Sequence, residues 1–160
     1  MEKLEVRIIR LDPMRVICFN GFGPSPEKQA WDKLTAWAKE KGLPVKDQER
    51  RFFGYNNPNP SPGSPNYGYD AWMTVEASVQ AEGEARIIDF PGGLYAVARV
   101  EAGPQGEGIF ETWQALSAWV AKSKYRPEFE NRLCLEESLT AIDHTIEGGF
   151  TLDLYEPIAE

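Results

Sequence analysis

Two stretches of this 160-residue chain echo each other closely enough to dictate its organisation. Gly23-Pro24 precedes Trp31-x-x-Leu34-x-x-Trp37, and Gly103-Pro104 precedes Trp113-x-x-Leu116-x-x-Trp119. The Gly-Pro pairs lie 80 residues apart and the tryptophan motifs 82. Each Gly-Pro follows a strand-like run, Arg15–Gly21 in one case and Leu94–Val100 in the other. A third echo closes each half: Tyr69-Asp70-Ala71-Trp72 and Leu152-Asp153-Leu154-Tyr155. Tryptophan is rare, and two of them matched at one spacing point to internal repetition rather than coincidence. The chain therefore reads as one domain, 1–160, made of a β-α-β-β half over 1–80 and another over 81–160.

Local signals agree with that division. Ser25 is placed to cap a helix with Pro26 at its first position and Glu27 at its positive end, and Gly42 stops it. A second helix is expected from about Glu107 to Lys122, burying Ile109, Trp113, Leu116 and Val120. Strand patterns fall at Glu2–Leu11, Tyr69–Ala77, Gly93–Glu101, Arg132–Thr140 and Thr151–Ile158. The expected class is α+β: duplicated βαββ units with pseudo-two-fold symmetry, an antiparallel sheet, two helices on one face and a central ligand cleft. Between Asn56 and Asn66 four prolines exclude a central strand and predict an extended loop or a lid over a pocket. The segment Ala141–Gly149 is its counterpart.

Composition removes several functions. A net charge of −8 speaks against direct nucleic-acid binding, which draws its affinity from clustered Lys and Arg. No apolar run approaches the roughly 20 residues that span a bilayer, and Met1–Arg10 lacks a signal-peptide pattern. Two cysteines make no disulfide framework, and a cytoplasmic location is expected. His144 is the single histidine, in a polar loop without a nucleophile-elbow motif. No metal-ligand spacing, P-loop or dinucleotide fingerprint occurs, and neither a metal nor a cofactor is expected.

What remains is an acid among aromatics. In Arg132–Thr140 strand alternation places Leu133, Leu135, Glu137 and Leu139 on one face and Cys134, Glu136 and Ser138 on the other. Two adjacent glutamates in a strand that belongs to the middle of a sheet are costly without partners. Aligning Arg51 with Arg132 sets Phe53 and Tyr55 opposite Cys134 and Glu136, while Trp72 and Tyr155 take matching places in the closing strands. Convergence of these side chains would suit a lipophilic aromatic cation, held by charge pairing and cation–π attraction. A purely core role for Trp72 and Tyr155 stands beside that reading, as does an exposed edge for the glutamate strand.

The tract Pro91-Gly92-Gly93-Leu94-Tyr95-Ala96-Val97, then Gly103-Pro104, Trp113, Leu135-Glu136-Glu137-Ser138 and Leu154-Tyr155-Glu156-Pro157-Ile158 resembles the gyrase-inhibitor-like, or multidrug-regulator effector-binding, domains. Tyr67–Val75 resembles the Arg-Tyr-Asp strand of that family, with Gly68 in place of Arg. The resemblance implies a small-molecule sensor cleft between duplicated halves, with a glutamate from a Phe-Glu-x-Tyr strand meeting the ligand's positive charge. It assigns that role to Glu136, with Ser138 departing from the family's Tyr; a shift of one residue would assign it to Glu137. Family members include effector domains of transcription regulators, stand-alone multidrug binders, gyrase-binding inhibitors and hydrolases of cyclopropane-containing compounds. The expected function is stand-alone, non-enzymatic binding of a small molecule by Glu136, Glu137, Phe53, Tyr55, Trp72 and Tyr155. A hydrolase using Glu136, and an inhibitor of gyrase or another protein partner, are the alternatives.

Overall fold

A computed structural model describes residues 4–43, 50–57, 61–104, 106–130, 132–139 and 149–160. Its elements in chain order are β1 (Arg7–Leu11), β2 (Met14–Gly23), α1 (Pro26–Glu40), β3 (Phe52–Asn56), β4 (Tyr67–Thr74), β5 (Arg86–Phe90), β6 (Gly93–Ala102), α2 (Ile109–Lys122), β7 (Arg126–Pro127), β8 (Leu135–Ser138) and β9 (Phe150–Ala159). The class is α+β, with antiparallel strands and two helices. Neither helix is long and apolar enough to cross a membrane.

The chain packs as two units. One comprises the described residues between Met14 and Phe90, with antiparallel strand order β3-β4-β2-β5. The other comprises β1 and the described residues from Pro91 onward, with order β1-β6-β9-β8 and the short β7 also paired to β9. This partition differs from the sequence halves 1–80 and 81–160. The reason is pairing: β1 runs into β2 but hydrogen-bonds β6, and β5 runs into β6 but hydrogen-bonds β2. Each edge strand therefore belongs to the unit it does not lead into.

Each helix packs on one face of its own unit. Trp31, Leu34, Trp37 and Ala38 of α1 bury against Ile17, Phe19, Phe52, Tyr69, Ala71 and Met73. Leu116 and Val120 of α2 do the same against Ala96, Ala98, Val100, Leu152, Leu154 and Ile158, with Trp113 and Trp119 partly buried at the margin. The four repeated tryptophans thus serve helix-to-sheet packing, and burial of each large apolar side chain contributes about 1.5–3 kcal/mol.

The helix ends follow their residues with two differences. Ser25 is the N-cap of α1 but its hydroxyl makes no capping bond, Pro26 supplying the preset first turn instead. Gly42, at φ 72°, lets the Leu43 N–H bond the Ala38 carbonyl, which closes the helix in a Schellman turn. The second helix starts at Ile109, two residues later than expected, because Gly108 adopts a left-handed conformation at its N-cap. The glutamate strand is also shorter than expected, Leu135–Ser138 rather than Arg132–Thr140. Pro58 and Pro60 of the proline loop, most of Ala141–Gly149 and His144 lie outside the described residues.

Candidate functional site

Strand register decides which glutamate meets the aromatic side chains. In the β8–β9 ladder Leu135 pairs with Tyr155, Glu136 with Leu154, Glu137 with Asp153 and Ser138 with Leu152. Leu152 and Leu154 belong to the cluster beneath α2, so Glu136 and Ser138 lie on the helix side. Glu137 lies on the other face, 7% exposed, where the Tyr155 hydroxyl donates to its Oε1 at 2.6 Å. Of the two glutamates the sequence offered, Glu136 and, by a shift of one residue, Glu137, it is Glu137 that shares the face of Tyr155, since a slip of one exchanges the two faces of a strand. Tyr155 packs edge-on against Tyr95, with ring centroids 5.8 Å apart. The Tyr95 hydroxyl donates to the Leu133 carbonyl, and the Arg132 guanidinium sits 5.2 Å from the Tyr95 ring centre.

One row further along this face is ionic. Arg99, Asp153 and Glu137 occupy adjacent positions across β6, β9 and β8. Arg99 donates to both Asp153 oxygens, through Nε at 2.9 Å and Nη2 at 3.2 Å, and Arg7 of β1 adds Nη2 at 2.8 Å. Burial resists ionisation of Asp153, but the bonds from Arg99 and Arg7 outweigh it and hold its pKa below the usual carboxylate value.

The face of the Met14–Phe90 unit opposite α1 carries the other candidates. Phe53 pairs with Trp72 and Tyr55 with Asp70 across β3 and β4, and Cys18 and Asn20 continue the two rows on β2. The Tyr55 and Trp72 rings meet edge-on at 5.4 Å, and Phe90 packs against Trp72 at 5.6 Å. Asp70 is wholly buried and accepts from Tyr55, Asn57, Asn20 and Arg86. Burial, followed by the Asp70 bond and charge, pushes the Tyr55 hydroxyl above its ordinary range, so it stays a protonated donor. Phe53, Trp72 and Tyr155 are each 2% exposed or less.

The two faces match position by position in register. Asp70 stands where Asp153 does, Trp72 where Tyr155 does, Phe53 where Leu135 does and Tyr55 where Glu137 does. The edge-strand arginines match as well: Arg86 opposes Cys18 as Arg7 opposes Val97, and each reaches its unit's buried aspartate. Sequence reasoning noted the two aspartates but gave them no role, and passed over Arg7, Arg86, Arg99 and Tyr95. Two signals were available. Each aspartate precedes its aromatic by two residues, which puts both on one face of a strand, and Arg7-Ile8-Ile9 repeats as Arg86-Ile87-Ile88.

Neither thiol is a nucleophile candidate. Burial, and then the charge of Asp70, pushes Cys18 up to about 12, while burial and the charge of Glu156 do the same to Cys134.

This fold and these motifs are those of a ligand-binding module. The chain matches the GyrI-like small molecule binding domain over residues 4–145 and belongs to that family. Among solved structures it resembles the EcmrR C-terminal domain (TM-score 0.72, 12% identity, 98% of each chain covered). It also resembles EcmrR in an EcmrR–DNA complex (TM-score 0.73, 11% identity), where it matches over 98% of its own length and spans 58% of that chain. A hydrolase from Listeria innocua is similar too (TM-score 0.67, 11% identity, 97% of this chain and 92% of that one). At such identities the likeness concerns the fold. No match was found among curated proteins.

Proposed function

We propose that this chain binds a small aromatic molecule carrying a positive charge, with Glu137 as the charge anchor and Tyr155, backed by Tyr95, as its aromatic contact. The observation that carries this reading is the Glu137–Tyr155 pair, a carboxylate held at 2.6 Å by a buried tyrosine on the face away from the helix. A carboxylate so placed gains more from a cation than it would in water, and aromatic neighbours add about 0.5–2 kcal/mol each through cation–π attraction. Position-by-position matching of the two units supports internal duplication of a βαββ element. Kinship with a regulator's effector-binding domain favours a sensing role, in which occupancy is read by a partner. Titration with tetraphenylphosphonium tests the binding. Saturable quenching of tryptophan fluorescence, weakened in Glu137→Gln, is expected; absence of saturation contradicts the reading.

The same pair favours a second reading, hydrolysis of a strained electrophile such as an activated cyclopropane. Water would attack a ring carbon as the adjacent ring C–C bond breaks and its electron pair passes to the activating group, and Glu137, oriented by the Tyr155 hydroxyl, would take the water proton and return it to the carbon that leaves. Turnover of such a substrate, lost in both Glu137→Gln and Tyr155→Phe, is the result this reading requires. Turnover that survives both substitutions removes it.

A further inference from the structure

The charges around Glu137 narrow the ligand class. On its face the ladders also place the carboxylates Asp153 and Glu101 and the guanidinium groups of Arg99 and Arg7, so both signs of charge stand there. A ligand bearing only a cation is drawn to Glu137 but repelled by Arg99, which lies in the same cross-strand row and senses the charge of Glu137 as well as that of Asp153. The arginines are also accessible, with side chains 45% exposed at Arg7 and 56% at Arg99, while Asp153 between them is buried.

Donor geometry adds to this. The bonds to Asp153 use Nε and Nη2 of Arg99 and Nη2 of Arg7. A guanidinium has five N–H donors, and among the described residues no carboxylate meets the Nη1 group of either arginine. Both are fixed by one buried aspartate, which lowers the entropy lost when they grip an anion. An oxyanion is what such a fork recognises best.

We propose that the ligand is an aromatic zwitterion, its cationic group directed to Glu137 and a carboxylate or similar anion to Arg99 and Arg7. This rests on the reading of Glu137 as a charge anchor and goes one step past it, from a cation to a molecule whose own charges balance.

Two dyes with one ring system separate the cases: rhodamine 110, a zwitterion through its free carboxylate, and rhodamine 123, its cationic methyl ester. Fluorescence anisotropy with the full chain gives both affinities. Wild type is expected to bind rhodamine 110 roughly three- to tenfold more tightly, and added salt should erode the preference. Arg99→Gln is expected to abolish or invert it, and Arg7→Gln, on a different strand, to shift it the same way, with circular dichroism checking that each variant is folded. Equal or tighter binding of the ester by wild type overturns the proposal. So does a dye ratio unchanged in both arginine variants. If rhodamine 123 binds in a Glu137-dependent way without any preference for rhodamine 110, only the zwitterion is refuted. If neither dye binds, the anchor falls with it.

Discussion

Glu156 and Asp153 sit three residues apart on one strand, and burial treats them oppositely because their partners differ. Glu156 is 1% exposed beneath α2; Ser117 donates to one of its oxygens, and the other has no hydrogen-bond partner among the described residues. Burial raises its pKa, and the Ser117 bond offsets only part of the rise. The native state therefore holds this proton more tightly than the unfolded chain. Its stabilising effect is whole below the ordinary carboxylate pKa and lost as pH rises through the raised value. Glu156→Gln is accordingly expected to raise the Tm near neutral pH, with the gain shrinking below about pH 4. Asp153 has the opposite sign. Its lowered pKa gives stability that is present above the ordinary value and disappears as pH falls through the native one. Asp153→Asn is expected to cost about 1 kcal/mol at pH 7, since its arginine partners are largely solvated, and the deficit should close in acid. Calorimetry of both variants across pH checks the two signs.

At the scale of elements, the helices were legible and the strand faces were not. Helix α1 announced itself through Pro26, Gly42 and a tryptophan stripe, all local signals. Strands β4 and β9 gave no such help, because residues 68–73 and 152–158 are buried without a break, on both faces. Period-two alternation marks a strand with one wet face and fades when both are dry. Alignment of the repeats had to stand in for it, and there the offset mattered. Matching Arg51 with Arg132 makes Tyr55 the equivalent of Glu136, whereas the positions within each ladder make Tyr55 the equivalent of Glu137 and Phe53 that of Leu135, an offset of 82 that the tryptophan motifs already display. Close helix–strand approach is a further element-level feature. A Cβ on Gly21 of β2 would stand 2.3 Å from the Pro26 carbonyl at the head of α1. Because backbone rather than a side-chain tip is in the way, Gly21→Ala is expected to destabilise by about 1–3 kcal/mol in urea titration.

For the whole molecule, the reciprocal placement of β1 and β5 explains why chain halves and packed units differ. It also brings Arg7, from the opening strand, to an aspartate near the end of the chain. Class, helices and family were accessible from motif order, and the match over residues 4–145 agrees with them. The ionic row was hidden, since it assembles from β1, β6, β8 and β9 and no local window contains it. The most direct test of Glu137 as the anchor is rhodamine 123 binding, measured by anisotropy, to wild type, Glu137→Gln and Glu136→Gln. Affinity should fall roughly tenfold or more in Glu137→Gln and hold within about twofold in Glu136→Gln. Wild-type affinity in Glu137→Gln, or an equal loss in Glu136→Gln, would contradict the assignment.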